Sequence, residues 1–396
     1  MNPRINLASL SDRGSEATYR IGAGASDWRR REAALLASYA MRSHDTRGRR
    51  YPEEPHPYRG PFQRDRDRIL HSTAFRRLSG KMQVFTGDMG DYHRTRLTHT
   101  HEVATIARTI GRVLRLNEDL IEALALLHDI GHPPYGHSGE DALSQCLCDH
   151  GGFSHNRFAL TLVEELETRY TPYPGLNLSR EVLSGQDFRI THAGAAPLLE
   201  VQVVDLADSL AYNAHDVDDA LALGLIQFQQ LQGLELVQRA VQWGKTPLQA
   251  SAQVIRQSLV HSLIDVQIAD VLEQSLEQLR DLDGLDSLSV QQLETTLGLS
   301  PTLASEREQL AQFLFEQVYR HERLIAVRQQ AAERVRRLYD SLLSQPNLLP
   351  QRFIDRAQRV GVPLSVGAYI AGMTDRFCDQ QFRQSIELGG GVAQDW

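Results

Sequence analysis

The stretch "LNEDLIEALALLHDIGHPPYGHSGE", residues 116–140, decides the fold. Asn117 is a good N-cap, two acidic residues follow in the first turn, and an unbroken run of helix formers leads to His128-Asp129. Gly131, Pro133 and Pro134 then stop the helix. Within thirteen residues the chain places His128, Asp129, His132, His137 and Glu140. A continuous helix would point these groups around its cylinder. A broken one lets His132, His137 and Glu140 fold back over the end that carries His128 and Asp129.

The flanking sequence reads as helix too. "HEVATIARTIGRVLRL" spaces Val103, Ile106, Ile110, Val113 and Leu114 along one face. "RFALTLVEELETRY" (157–170) and "EVQVVDLADSLAYNAHDVDDALALGLI" (200–226) have the same period, and residues 221–345 are rich in Gln and Leu at helical spacing. Strand patterns are scarce, and there is neither an internal repeat nor a P-loop. Residues 43–62, with four prolines, and 171–187 read as loops or flexible segments. The expected class is all-α. The expected organisation is a partly irregular extension over 1–60, a helical core over 61–225 and a C-terminal helical region over 226–396, and what the latter two do follows from the resemblance given below: a metal-dependent core, and a region that completes the substrate pocket and the oligomer contacts.

With 41% hydrophobic and 23% charged residues, the 396-residue chain is composed like an ordinary globular protein. No apolar run approaches the roughly 18–20 residues of a membrane span. The first twenty residues lack the apolar stretch of a signal peptide, and three cysteines (Cys146, Cys148, Cys378) suit a reducing compartment, so a cytoplasmic location without membrane contact is expected. The net charge of −8 conceals an asymmetry. Residues 1–115 carry 22 Lys+Arg against 12 Asp+Glu, whereas the remainder carries 20 against 38. Only Lys81 and Lys245 are lysines. Arginine suits phosphate oxygens, although genome composition explains such a bias most simply.

His99, His128, Asp129 and Asp208 sit on otherwise apolar helices. Two imidazoles and two carboxylates form a mixed N/O set for one divalent ion, Mn²⁺ or Mg²⁺ foremost, with Fe²⁺, Co²⁺ or Ni²⁺ as further fits. Without an ion, four such groups are costly to bury together. Asp208, Tyr212 and Asp216 follow at i, i+4 and i+8 and share a helix face that drifts by about 40° per step.

The order His99, His128-Asp129, Asp208 resembles the H…HD…D signature of the HD-domain metal phosphohydrolases. The blocks "RTRLTHTHEVATIARTI", "LLHDIGHPPYGHSGEDAL", "FSHNRFAL", "VVDLADSLAYNAHDVDDAL" and "YIAGMTDRF" resemble, in order and spacing, the deoxyguanosinetriphosphate triphosphohydrolase family from about residue 60 to 380. A bare His-Asp pair says little; five ordered blocks are specific. The resemblance implies hydrolysis of a dNTP to deoxynucleoside and inorganic triphosphate, with water attacking the α-phosphorus. It implies His99, His128, Asp129 and Asp208 as metal ligands, and His137 and Glu140 as a catalytic pair. His132 and His155 are implied as further histidines of the phosphate pocket, and Arg96 as a cation beside the α-phosphate. Tyr212 would pack under the sugar, where its ring rejects a 2′-OH, and Asp216 would accept from the 3′-OH. Tyr369, Asp375 and Arg376 are candidates for phosphate or sugar contacts, and Arg76, Arg77, Lys81 and Gln83, in "FRRLSGKMQVF" (75–85), for phosphate or base contacts. The family further implies a homo-oligomer, tetramer or hexamer, with dNTPs as activators.

Two positions depart from the family pattern. His101 stands where an apolar residue is expected and should be exposed, and Ser154 stands where an acidic residue is common. Two other readings compete. One is a different HD enzyme, a 5′-nucleotidase or a hydrolase of guanosine tetraphosphate or cyclic nucleotides. The other is a nucleotide sensor or single-stranded-DNA-binding protein, motivated by the arginine-rich first 115 residues, which salt-dependent DNA retention would reveal.

Overall fold

The computed structural model describes residues 24–83, 94–192, 196–387 and 395–396. Residues 1–23 of the N-terminal extension, and Val84 and Phe85 of the block at 75–85, lie outside them. The described residues form helices and loops, with two isolated bridging pairs and no strand, so the fold is all-α. None of these helices is long and apolar enough to cross a membrane.

At the centre lies Glu118–Leu127. Asn117 caps it by accepting from the Leu120 N–H, and seven of its ten residues are buried. A helix apolar on nearly every side has to be surrounded. Pro61–Leu70, Arg96–Val113, Arg180–Thr191 and Leu199–Ala222 pack around it. Each fully buried Leu or Ile here contributes about 1.5–3 kcal/mol. Arg96–Val113 opens with a reciprocal cap between Thr95 and Thr98. The main hydrophobic core draws its buried residues from three stretches, Ala37 to Ala211, Val271 to Leu297 and Ala331 to Phe382. A second cluster joins the C-terminal half of Leu199–Ala222 to Glu235–Trp243, Ala252–Leu279 and Pro301–Leu314.

Two helical expectations shift. The helix expected over 157–170 begins at His155 and closes in a wide turn over Leu162–Leu166. Glu167 then leaves the helix, because its carboxylate accepts from the backbone N–H groups of Thr73 (3.1 Å) and Ala74 (2.7 Å) and so caps another helix. Conversely, Arg180–Thr191 is helical although 171–187 read as loop. Glu181 in its first turn is buried and accepts from the Arg47 N–H (2.7 Å) and the Thr46 hydroxyl (2.7 Å). This distant partner settles the segment.

Of the proline-rich stretch 43–62, expected as a loop or flexible segment, residues 46–60 are irregular, between a short helical turn at Ser43–Asp45 and the helix that opens at Pro61, and they are tied down. Arg49 pairs with Asp65, and Asn177 exchanges hydrogen bonds with the backbone of Tyr51. Glu53 receives Arg64, Arg68, the Tyr173 hydroxyl (2.6 Å) and Asn177 (2.9 Å). Burial alone would raise its carboxyl. These donors more than offset that and bring it down to about 2.

The break after the central helix depends on glycine. Tyr135 and Gly136 both take positive φ, 62° and 57°, which turns the chain sharply into His137–Cys146. A Cβ on Gly131 would collide with the backbone of His155 and Ala159, so only glycine allows the His155–Thr161 helix to approach so closely.

Gly131→Ala should therefore destabilise the fold by about 1–3 kcal/mol, read as a lowered denaturant midpoint at unchanged slope. Glu53 predicts a pH effect. Its folded carboxyl lies below the unfolded value of 4.5, so its contribution is present above pH 4.5 and lost as pH falls towards 2. Glu53→Gln should remove that part of the pH dependence, measured as the difference between the two chains' unfolding free energies from neutral pH down into this window.

Candidate active site

Three elements meet at the C-terminal end of the central helix. His128 and Asp129 follow Leu127, His99 comes from the first turn of Arg96–Val113, and Asp208 comes from Leu199–Ala222. The His99 Nε2 lies 3.0 Å from Asp208 Oδ1, and the His128 Nε2 lies 3.7 Å from the same oxygen and 3.9 Å from Asp129 Oδ1. Donor atoms of His99, His128 and Asp208 lie within 4.8 Å of one another.

The chemistry of this set fits a cation. His128 Nδ1 donates to the Ala125 carbonyl at 2.6 Å, which leaves Nε2 as the lone-pair nitrogen. That Nε2 is buried and has no hydrogen-bond partner among the described residues. A buried, unpartnered lone pair beside two carboxylates is what a divalent ion would satisfy. Burial also holds His128 below its ordinary value, and so neutral. Asp208 feels the opposing effect of burial, yet His128 and His99 beside it hold its carboxyl well below the usual range.

Asp129 is the most constrained. The Arg96 Nη1 donates to both its oxygens, at 3.0 and 2.9 Å, and the His132 Nδ1 lies 2.7 Å from Oδ1. Burial opposes its charge, but Arg96, His132 and His128 keep it ionised. Burial and Arg96 together push His132 well below its ordinary value, so its ring is neutral. It stacks on His155 with centroids 3.8 Å apart.

Glu140 differs in detail from the expected pairing. It accepts from the backbone N–H of His155 (2.9 Å) and from its Nδ1 (2.9 Å), whereas the His137 Nδ1 stands 3.8 Å away. The His137 side chain is 59% exposed at the mouth. Burial raises the Glu140 carboxyl, but the nearby His137 and the bonded His155 override it and leave the group well below the carboxylate range. His132, Glu140 and His155 also converge as a ligand-like group, but Glu140 is committed to His155.

All of these groups but Glu140, which reaches the cavity only through His155, line one cavity of about 600 Å³, which holds His99, His128, Asp129, Asp208, Arg96, His132, His137, His155, Gln83 and Tyr212. Other cavities are as large, so size does not single this one out. Its donor set does. Further lining residues are Asn156, Arg189, His192, Asp205, Ser209, Asn213 and Arg307. Asp205 and Ser209 were within reach of sequence reasoning, since they share the Asp208–Tyr212 face at helical spacing. Arg189, bonded to Asp205 at 2.7 Å, lies just past the stretch 171–187 that read as loop, near the end of a helix to which the sequence reading gave no site residue. Arg307 had no local signal at all.

Several expected contacts lie elsewhere. Asp216 is buried outside the cavity and takes the Tyr319 hydroxyl as its partner. Two steps of helical drift, about 80°, carry it past the cavity edge. Burial and the neighbouring Asp219 push its carboxyl well up. Tyr369 is buried against Phe353, and its carbonyl accepts from the Trp396 indole at 2.8 Å. Asp375 accepts from the Met82 (3.0 Å) and Tyr135 (2.9 Å) N–H groups and braces the chain on both sides of the cavity. Arg376 and Arg76 are exposed, and Arg77 lies over the Trp396 ring at 4.0 Å. Lys81 is fully buried and donates to the His132 and Ala371 carbonyls. None of these lines the cavity. His101 is exposed, as expected, with its ring edge-on to Phe75.

Comparison with known proteins agrees with this geometry. The HD domain matches residues 96–213, and the phosphohydrolase-associated domain matches residues 297–384. A deoxyguanosinetriphosphate triphosphohydrolase-like protein of Bordetella pertussis is 42% identical over 380 residues, 89% of this chain and 97% of its own. Proteins of the same description from Geobacter metallireducens and Nitrosomonas europaea are 41% and 39% identical over 381 and 371 residues, covering 91% and 89% of this chain and 97% and 98% of their own. With its metal-ligand-like cluster inside the HD match and these relatives along nearly its whole length, the chain belongs to the deoxyguanosinetriphosphate triphosphohydrolase-like family of HD-domain phosphohydrolases.

Proposed function

We propose that this phosphohydrolase cleaves dNTPs at the α-phosphorus, giving a deoxynucleoside and inorganic triphosphate. The observation that carries the reading is the unpartnered His128 Nε2, set among His99, Asp129 and Asp208 in a cavity that also holds Arg96, Tyr212 and His155, which is bonded in turn to Glu140. A divalent ion held there, Mn²⁺ or Mg²⁺ foremost, would supply Lewis-acid polarisation of a phosphate oxygen and a more acidic water.

The side chains would do the rest. Arg96 keeps Asp129 ionised and offers positive charge to the phosphates from one turn before His99. Arg307 adds a second guanidinium from Pro301–Leu314. Two proton transfers are needed, one from the attacking water and one to the leaving 5′ oxygen. His137 and His155 both face Glu140 with Nδ1, so Nε2 is the atom each has left to exchange a proton with the substrate. The Tyr212 ring lies on the same helix face as Asp208, where a close sugar with a 2′-OH would meet it. Such an enzyme would work on the nucleotide pool of the cytoplasm, and a homo-oligomer activated by dNTPs accords with the family reading.

Product analysis tests the reaction. Incubation of Mn²⁺-loaded protein with each dNTP and with GTP, with and without dNTP mixtures, should give deoxynucleoside and triphosphate from dNTP alone. Monophosphate or free phosphate would move the chain to another HD reaction class, and DNA retention without product would favour the binding-protein reading. Tyr212→Ala should narrow the preference for dGTP over GTP by about tenfold or more, measured as the ratio of kcat/KM values. Mn²⁺ should raise the Tm of the parent chain and EDTA should reverse it. His128→Ala should abolish that shift and cost on the order of 10³-fold in turnover, equivalent to several kcal/mol.

A further inference from the structure

Two residues outside the cavity lining continue the ligand set outwards. The His99 Nδ1, on the ring edge away from Asp208, lies 3.2 Å from the Nδ1 of His215. The His215 Nε2 lies 3.0 Å from Glu102 Oε2. The hydrogens in this line can be placed by elimination. An ionised Glu102 only accepts, so His215 Nε2 carries a hydrogen. A neutral His215 then presents a lone pair at Nδ1, so the hydrogen between the rings sits on His99 Nδ1. His99 Nε2 is left with its lone pair directed to the side of Asp208 and His128. The opposite order would set the His215 Nε2 lone pair against the Glu102 carboxylate. A doubly protonated His215 would donate to His99 Nδ1 and move the His99 hydrogen to Nε2, facing Asp208, the tautomer that leaves no lone pair for an ion. With a cation between His99 Nε2 and Asp208, which stand 3.0 Å apart, the first order satisfies every contact, and it gives His99 the tautomer that a ligand through Nε2 requires.

The outer end is anchored as well. Arg94 pairs with Glu102 and also reaches Asp218 at 2.8 Å, which ties the line to the C-terminal half of Leu199–Ala222. Glu102 and His215 open onto a separate cavity of about 610 Å³ shared with Arg94 and Asp218.

We propose that Glu102 and His215 are positioning residues of the metal centre: a carboxylate–imidazole–imidazole line that fixes the tautomer and strengthens the basicity of His99. This rests on the reading of His99 as a ligand, but not on the identity of the substrate.

Manganese affinity of the full chain, measured by titration calorimetry, tests the inference. His215→Phe and Glu102→Ala should each weaken Mn²⁺ binding by about 10–100-fold. Glu102→Gln, which keeps an oxygen to accept from His215 Nε2, should retain affinity near that of the parent chain. His261→Ala, an exposed residue of the same outer cavity, should leave it unchanged. Glu102 is nearly half exposed, so its variants decide the matter if His215→Phe fails to fold. A parent chain that binds Mn²⁺, with equal affinity in folded Glu102→Ala, would overturn the line alone. A parent chain that binds no divalent ion would overturn the metal centre and the line together.

Discussion

The structure depends on a helix that cannot carry its own chemistry. Glu118–Leu127 is enclosed by apolar neighbours, and a polar group along most of its length would be buried without a partner. Its own acids, Glu118, Asp119 and Glu122, lie on a partly exposed edge and pair with Arg66, Arg108 and Arg112, so the ionisable groups of the cavity gather past its C-terminal end, where the chain stacks His128, Asp129 and His132. Gly131 then removes the side chain that would hold the His155–Thr161 helix away. The packing of the core thus dictates both where the site lies and how closely its histidines gather.

That gathering creates an electrostatic debt which neighbouring charges settle locally. Asp129 is surrounded by Arg96, His132 and His128, while Asp208 lies against His99 and His128. Both carboxylates stay ionised despite burial, and His128 and His132 stay neutral. Such a division suits cation binding, because ligands must be deprotonated before an ion arrives. Lys81 shows the same principle without charge pairing. Its ammonium is buried, pushed well below its ordinary value by desolvation and Arg77, and satisfied by two backbone carbonyls.

Helix period and punctuation made the fold class and the placing of the central helix readable from residues alone. Asn117 as a cap and Gly131 with the two prolines as a stop are local signals, so they survive without tertiary information. Arg180–Thr191 was missed because Glu181 is satisfied by Arg47 and Thr46, more than 130 positions away in the chain. The site divides in the same way. The histidines and acids that line the cavity were visible as a dense cluster near one helix end. Asp216 was misplaced because a drift of about 40° per step, tolerable once, carries a residue off the face when repeated. Tyr369 and Asp375 were recognised as belonging near the site, but their work is mechanical: backbone contacts on the far side of the wall, which residue type alone does not reveal.

Asp375 and Lys81 also bear on how the molecule is made. Lys81 needs the carbonyl of Ala371, and the backbone of Met82 and Tyr135 needs the carboxylate of Asp375, some 240 to 290 residues later in the chain. A polypeptide emerging from the ribosome can assemble the central helix and its neighbours early, since those contacts are closer in sequence. The wall behind Gly136 closes only after the Val362–Ala371 helix and the turn beyond it have been synthesised. The nascent chain therefore carries its histidines, for the more than two hundred residues that separate them from Asp375, without the brace that sets the backbone around them.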